Sequence, residues 1–156
     1  MPGYRVIALA QEVADAVRAT RLSPFSSHPT HVEIARGHGP CRLCLHAFAV
    51  GEDRRILFTF DPFAGLESLP LPGPVFIHEA ACARHVEDAG FPEDIRTRRL
   101  TIQAYGAGRR LVREEFLQDG NVDSEIDRLL GRPDVLYLHV RDTAAGCYDF
   151  RVERAA

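Results

Sequence analysis

The segment Cys41-Arg42-Leu43-Cys44 separates two cysteines by two residues, and this spacing governs our interpretation of the whole chain. A tight turn with this spacing brings both sulfur atoms to one side. Two thiolates bound to one tetrahedral Zn²⁺ lie about 3.8 Å apart, because each Zn–S bond is about 2.3 Å long. The segment therefore predicts one half of a zinc site.

The segment 78–82 supplies the second half, because His78 and Cys82 are four residues apart. We predict a helix from Glu79 to Asp88, and side chains four residues apart on a helix lie on one side of it. His85 follows one turn later and is the reserve ligand. Four protein ligands close the coordination sphere, which is typical of a structural ion. The predicted cofactor is zinc, with these ligands: Cys41, Cys44, His78 and Cys82.

A predicted β-hairpin lies between the two halves of the site. Segments 45–50 and 55–61 form its strands, and segment 51–54 (Gly-Glu-Asp-Arg) forms its turn. A cysteine turn, a hairpin and a ligand-bearing helix in this order resemble the treble-clef type of zinc fold. The likeness is loose, because the gap between the halves exceeds the about 12–20 residues of short zinc fingers. Leu45 also stands where such turns often have a small residue.

Other interpretations of these cysteines stay open. Cys41 and Cys44 could form a redox pair, although such pairs usually open a helix and here a strand is predicted to follow. They could also be inert thiols, because free cysteine is among the most buried residue types. Four further histidines in the same region could replace a ligand: His28, His31, His38 and His46.

Residues 135–153 alternate apolar and polar side chains and predict a final β-hairpin. Pairing Arg141 with Cys147 places every apolar residue of this hairpin on one face. The same register sets His139 opposite Asp149, with Cβ atoms about 4.5–5.5 Å apart. We therefore expect the carboxylate to orient the imidazole.

Three polar residues of this hairpin are candidate catalytic groups. A thiol, an imidazole and an orienting carboxylate are the parts of an activated nucleophile, which nominates Cys147, His139 and Asp149. Alternatively, Arg141 and Arg151 could bind a small anion. A solvated polar face without any function also fits the pattern, since one face of an antiparallel sheet is usually solvated.

The order of predicted elements favours an α+β fold, with a largely antiparallel sheet and two or three helices, over a doubly wound parallel sheet. We expect a single domain over residues 1–156, with a zinc-site region at about 38–90 and C-terminal hairpins and a helix over 97–154. The Pro-rich segment 62–74 is predicted to be a loop. The remaining predicted strands are 4–9, 31–35, 75–77, 99–105 and 109–117, and the remaining helices are 11–20 and 122–130.

The composition excludes several function classes. All 19 basic residues are arginine, so Schiff-base lysine chemistry and the lysine of phosphate-binding loops are excluded. No apolar stretch reaches the about 18 residues of a membrane helix. Without a secretory signal we expect a cytoplasmic protein with reduced thiols. The net charge of −3 disfavours nucleic-acid binding, despite a cluster of arginines. These are Arg96, Arg98, Arg99, Arg109, Arg110 and Arg113.

The chain resembles a bacterial family of uncharacterised proteins, named domain of unknown function 1203, at four short motifs: 41–45, 73–78, 139–141 and 146–148. The likeness extends in order from about residue 40 to Arg154. Each motif alone is weak, whereas their order and spacing together are more specific. The resemblance implies a small single-domain bacterial protein, with no assigned activity, substrate or partner.

We therefore expect a small cytoplasmic zinc-binding protein in which the ion is structural and the role is binding or regulatory. One alternative is an enzyme that uses Cys147 and His139 in thiol chemistry. Another is a module that binds an anion or a nucleic acid through its arginines. The sequence leaves open the ligand, the oligomeric state and the histidine that completes the metal site.

Overall fold

The computed structural model describes residues 3–63, 73–118 and 120–156. The chain forms two antiparallel sheets and two α-helices in these ranges. In chain order the elements are β1 (Tyr4–Ile7), α1 (Gln11–Thr20), β2 (His31–Ile34), β3 (Arg54–Phe60), β4 (Gly73–His78), β5 (Leu100–Tyr105), β6 (Leu111–Leu117), α2 (Val122–Leu130), β7 (Tyr137–Asp142) and β8 (Tyr148–Arg154).

Five strands form the larger sheet, in the order β1-β8-β7-β5-β6. Leu138 and Val140 of β7 are fully buried on one face of this sheet, as the alternating pattern requires. The apolar stripe of α2, which includes Ile126 and Leu129, belongs to the same hydrophobic cluster. This packing forms the larger core, and the opposite face of the sheet carries the polar residues of β7.

The other three strands form a smaller sheet, in the order β2-β3-β4. Ile56 of β3 and Ile77 of β4 are buried together with Val17 of α1. Cys41 and Cys44 belong to this second hydrophobic cluster. The predicted metal donors therefore lie in the core of the smaller sheet.

Much of the predicted secondary structure is confirmed, and so is the α+β class. Helix α1 has the predicted bounds, and α2 follows Asn121 as expected. The predicted hairpin of β5 and β6 is present, with a 3₁₀ turn at Ala107–Arg109 between the strands. In the described part of the chain, no helix combines the length and apolar character needed to cross a membrane.

The predicted hairpin after the cysteine turn is wrong. Residues 45–50 form no strand; instead β3 pairs with β2 on one side and with β4 on the other. The chain turns back at 49–53, where the Asp53 carboxylate accepts the Ala49 N–H at 2.8 Å. The Gly51 N–H donates to the Ala35 carbonyl at the end of β2. These bonds direct the chain into β3 without a strand before it.

The predicted helix from Glu79 to Asp88 is also wrong, and only a 3₁₀ turn at Glu87–Ala89 forms there. The backbone groups that a helix would pair internally are bonded elsewhere. The Arg18 guanidinium donates to the carbonyls of His78 and Ala80. The treble-clef likeness is not confirmed, because the ligand-bearing helix is absent from this described segment.

The predicted loop 62–74 falls largely outside the described residues, which omit 64–72. Its last two residues differ from the prediction, because Gly73 and Pro74 belong to β4. Pro74 pairs with Thr59 at the edge of the smaller sheet. Proline is tolerated on an edge strand because one side of that strand needs no ladder hydrogen bond.

Candidate metal centre

The first two donors lie on a tight turn formed by residues 41–45. The Leu45 N–H closes this turn by donating to the Cys41 carbonyl at 2.8 Å. Leu45 has a left-handed backbone conformation, with φ of 61°, which costs a non-glycine residue roughly 1–2 kcal/mol. Its side chain is buried in the larger core, and this burial offsets the strain. The turn brings the sulfurs of Cys41 and Cys44 within 4.8 Å of each other.

Backbone hydrogen bonds fix this turn to two neighbouring segments. The Arg42 N–H donates to the Phe76 carbonyl in β4 at 3.0 Å. The Arg42 carbonyl accepts the Leu9 N–H, which lies just before α1, at 2.9 Å. The cysteine turn is therefore held between β4 and the chain that leads into α1.

The other two donors follow from β4. His78 is the last residue of that strand and pairs with Arg55 of β3. Its backbone N–H donates to the Cys41 sulfur at 3.3 Å, so the strand end lies directly against the cysteine turn. Cys82 lies four residues further along, in irregular chain, and is half-buried. The donors thus converge from a turn, a strand end and an irregular segment.

Two separations among the four donor atoms match the tetrahedral coordination of a single ion. The ligand atoms of Cys41, Cys44, His78 and Cys82 all lie within 4.8 Å of one another. The sulfurs of Cys41 and Cys82 are 3.8 Å apart, the separation expected from two Zn–S bonds of about 2.3 Å. The Cys44 sulfur lies 3.4 Å from His78 Nδ1, against about 3.6 Å for tetrahedral Zn–S and Zn–N bonds. These four residues could hold one metal ion.

Further groups orient the donors. The second ring nitrogen of His78, Nε2, lies 3.3 Å from the Asp53 carboxylate. A carboxylate at this position fixes the imidazole tautomer and leaves Nδ1 for a metal. Arg18 donates to the Cys82 sulfur at 3.5 Å and to the His78 carbonyl at 3.1 Å. Neither Asp53 nor Arg18 is predicted from the sequence, although the position of Asp53 in the predicted turn 51–54 offers a signal.

Three thiols this close together cannot all ionise without a cation. Hydrogen bonds from the thiols of Cys44 and Cys82 lower the pKa of Cys41 far below its usual range. The pKa values of Cys44 and Cys82 are raised, first by the hydrogen bond to Cys41 and then by burial. A bound divalent cation would stabilise all three thiolates, because a coordinating thiol is deprotonated. The donor set therefore suits a metal ion better than free thiols.

The reserve ligand His85 does not join the donor group. Its Nε2 lies 3.0 Å from the Gly90 carbonyl, which can accept the ring N–H. Burial lowers the pKa of His85, so the neutral ring is favoured. Among the described histidines, His78 is the one in the donor group. The other four candidates lie outside it as well: His28, His31, His38 and His46.

The family comparison covers this whole site. The model of the family described as "Protein of unknown function (DUF1203)" matches residues 38–154. The chain belongs to this family. All four donors lie within the matched range, whereas no curated protein and no solved structure matches the chain. The DUF1203 description assigns no activity, so the site itself has to indicate the function.

A buried ion pair joins the cysteine turn of this DUF1203 protein to the C-terminal hairpin. Arg42 lies between the two cysteines and is 3% exposed, and Asp149 is 1% exposed. Their Nη2 and Oδ1 atoms are 3.1 Å apart. Arg42 also donates to the carbonyls of Tyr148 at 2.7 Å and Pro40 at 2.6 Å. This pair is not predicted from the sequence, because nothing local in either segment indicates the distant partner.

The predicted register of the C-terminal hairpin is wrong, by two residues at His139 and by one residue at Arg141. His139 pairs with Arg151 instead of Asp149, and Arg141 pairs with Tyr148 instead of Cys147. The register shifts between Val140 and Arg141, which leaves Asp149 as the extra residue of a β-bulge. The bulge turns the Asp149 side chain to Arg42. The structure therefore does not bring the three candidate catalytic residues together as a hydrogen-bonded set.

His139 lies in a buried aromatic cluster and not on a solvated face. Four rings have centroids within 5.3 Å of its own: Phe63, Tyr105, Tyr137 and Tyr148. Neither ring nitrogen has a hydrogen-bond partner among the described residues. Burial, followed by the charges of Arg141 and Arg151, lowers the pKa of His139 to about 3. The imidazole is neutral at physiological pH.

The buried His139 makes the fold sensitive to acid. Its pKa in the folded chain is about 3, below the value of about 6.5 in an unfolded chain, so the unfolded chain binds the proton first. Stability from the neutral ring is complete above pH 6.5 and is lost as the pH falls towards 3. When the pH falls from 7 to 5, we expect the free energy of unfolding of the wild type to decrease by about 2 kcal/mol more than that of a His139→Phe variant.

Urea unfolding of both proteins at the two pH values measures this difference. His28→Gln is the matched control, because the exposed His28 side chain lies outside the aromatic cluster and should leave the pH dependence unchanged. Equal pH dependence of the wild type and His139→Phe would contradict the assignment of a buried neutral imidazole.

Proposed function

We propose that Cys41, Cys44, His78 and Cys82 bind one structural Zn²⁺, and that the protein is a small zinc-stabilised module with a binding or regulatory role. The observation that carries this proposal is the convergence of four soft donor atoms within 4.8 Å. Three thiolates and one imidazole in tetrahedral spacing favour zinc over the hard cations, which prefer oxygen ligands.

The arrangement supports a structural role for the ion. Four protein donors fill a tetrahedral coordination sphere, so no position is left for a water or a substrate. Cys41 and Cys44 are buried in the core of the smaller sheet, away from solvent. The ion would connect the cysteine turn, the end of β4 and the chain around Cys82. It would therefore stabilise the smaller sheet and the segments packed on it.

Thiol catalysis by the C-terminal hairpin has less support. The Asp149 carboxylate faces Arg42, and no hydrogen bond joins Cys147 to His139 in the part of the chain described. The imidazole is enclosed by aromatic rings, where it has no proton acceptor or donor among those residues. A buried neutral imidazole of this kind packs as a core side chain.

A nucleic-acid role for the Arg-rich segments is likewise weak. Carboxylates neutralise part of this cluster, because Arg96 pairs with Glu93 and Asp123 and Arg113 pairs with Glu115. Salt-bridged arginines on a surface of mixed charge supply little net field to a phosphate backbone. We propose a reducing, cytoplasmic location, because cysteines without disulfide partners persist under reducing conditions.

Zinc content of ligand variants tests the proposal. We expect one zinc per chain in the wild type and a zinc affinity at least about tenfold lower in Cys82→Ser, because one of four donors is lost. Cys147→Ser is the matched control, since its thiol lies outside the donor group. Equal zinc content and affinity in Cys82→Ser and Cys147→Ser would overturn the assignment of the donors.

A further inference from the structure

A groove runs along the polar face of the larger sheet, where the C-terminal hairpin meets the start of β4. It has two cavities, of about 500 Å³ and about 100 Å³. Arg141 lines both of them, together with Gly73 and Gly146, so the cavities are two lobes of one groove. The larger volume is within the usual range for sites of small ligands.

The guanidinium of Arg141 is only partly engaged. Its Nε donates to Gln103 at 2.7 Å, and its Nη1 donates to the Gly146 carbonyl at 3.2 Å. No ion pair neutralises Arg141 within residues 3–63, 73–118 and 120–156. The two bonds hold the side chain in place beside the Tyr105 hydroxyl, and the guanidinium has further N–H groups that can donate to another acceptor. A positioned guanidinium without an ion-pair partner in these ranges is suited to a carboxylate.

Apolar and hydroxyl groups complete the larger lobe. Phe116 of β6 lines it and is 63% exposed, although it is a large apolar side chain. The ring of Tyr105 lies on the same lobe, and Thr101 and Thr143 bond to each other there at 2.9 Å. The lobe thus offers an apolar surface and hydroxyl groups next to one cation, which suits a molecule with an acidic end and an apolar body.

Two carboxylates limit the charge of such a ligand. Glu114 accepts a hydrogen bond from Gln103 at 2.7 Å, and Asp142 accepts the Ala145 N–H at 2.8 Å. Both residues line the larger lobe beside Arg141. A dianion such as a phosphate monoester would be repelled by two acidic groups and attracted by one guanidinium. These three charges sum to −1, so an anion can bind only in direct contact with Arg141, and the repulsion from the two carboxylates is smaller for a monoanion than for a dianion.

We propose that this groove binds a small organic monocarboxylate, with the carboxylate on Arg141 and the apolar part against Phe116 and Tyr105. The proposal goes beyond the metal site, since none of the four donors lines either lobe. The predicted anion site comprises Arg141 and Arg151, whereas in the proposed site Arg141 alone binds the carboxylate. Arg151 pairs with Glu153 at 2.9 Å and lines neither lobe.

Titration with benzoate, followed by NMR chemical shifts of the zinc-loaded full chain, tests the site. We expect saturable shifts at Thr101, Phe116 and Thr143, with a dissociation constant of about 1 mM or lower. Benzamide, a neutral molecule of nearly the same shape, should bind at least about tenfold more weakly, because it lacks the negative charge that strengthens a hydrogen bond from the guanidinium. Inorganic phosphate should bind no better than benzamide.

Two variants and one control locate the binding. Arg141→Gln should weaken benzoate binding at least about tenfold, because it removes the charged donor. Phe116→Ser, at an exposed position with little cost to folding, should also weaken it. Arg151→Gln should leave it unchanged. Absence of saturable shifts in the wild type, equal binding of benzamide or phosphate, or full binding by Arg141→Gln would overturn the proposal.

Discussion

Removal of the metal is expected to unfold the smaller sheet together with the cysteine turn. Structural zinc contributes about 10–16 kcal/mol in small zinc domains, which matches the 5–15 kcal/mol stability of a whole typical domain. The proposed ion would connect three segments packed on one hydrophobic core, so its loss would remove the cross-link from that core. We expect the free energy of unfolding to fall by at least about 3 kcal/mol.

Thermal unfolding and amide hydrogen exchange before and after chelation, under reducing conditions, measure this effect. Protection should fall most in β2, β3 and β4 and least in β5 and β7, which belong to the larger core. Added Zn²⁺ should restore it, whereas Mg²⁺ should not, because Mg²⁺ prefers oxygen ligands. A metal-free protein with unchanged midpoint and protection would show that the fold does not depend on the ion.

Substitution of Arg42 is expected to lower the free energy of unfolding strongly, although Arg42 is not one of the four donors. Arg42→Met leaves the Asp149 carboxylate buried without its partner, and breaking such a pair from one side costs about 3–5 kcal/mol. It also removes two hydrogen bonds to backbone carbonyls, at Tyr148 and Pro40. Urea unfolding of the zinc-loaded protein measures the loss.

Arg132→Met is the matched control for this substitution. Arg132 pairs with Asp134 on the surface, where such pairs contribute about 0–1 kcal/mol. The double variant Arg42→Met with Asp149→Leu should lose less than the sum of the two single variants, because neither charge is then left alone. If Arg42→Met costs no more than Arg132→Met, the ion pair does not join the cysteine turn to the hairpin.

The elements that were predictable from sequence depend on local patterns. Helix α2 has an apolar stripe and acidic residues in its first turn, at Asp123 and Glu125, and these signals lie within the helix itself. The pairing of β5 with β6 follows from two neighbouring apolar strands joined by a short Gly-rich segment. For such elements the residues close in sequence determine the structure.

The proximity of Cys41, Cys44, His78 and Cys82 could be predicted, although the local structure around them could not. The spacing of Cys41 and Cys44 restricts the turn whatever follows it. For His78 and Cys82, the prediction of proximity depends on a helix; the two side chains are close, but no helix forms there. The Arg18 guanidinium, which comes from a distant helix, bonds the carbonyls that a helix would have used. A bond of this kind depends on the tertiary fold and leaves no periodic signal in the sequence.

The prediction of the register of the C-terminal hairpin is wrong for a similar physical reason. Alternation of apolar and polar residues defines two faces, but it does not reveal a bulge that inserts one extra residue. Asp149 takes the bulge position, where its carboxylate meets Arg42 of the cysteine turn. Alternation alone is also compatible with a solvated polar face, whereas His139 on that face is fully buried.

Zinc K-edge X-ray absorption of the purified protein tests the central claim most directly. The account predicts a first coordination shell of three sulfurs at about 2.3 Å and one nitrogen at about 2.0–2.1 Å. The Cys147→Ser variant should give the same spectrum, because that thiol is not a donor. A shell of oxygen and nitrogen without sulfur would contradict the account. So would a protein that binds no zinc and has the same stability with and without added Zn²⁺.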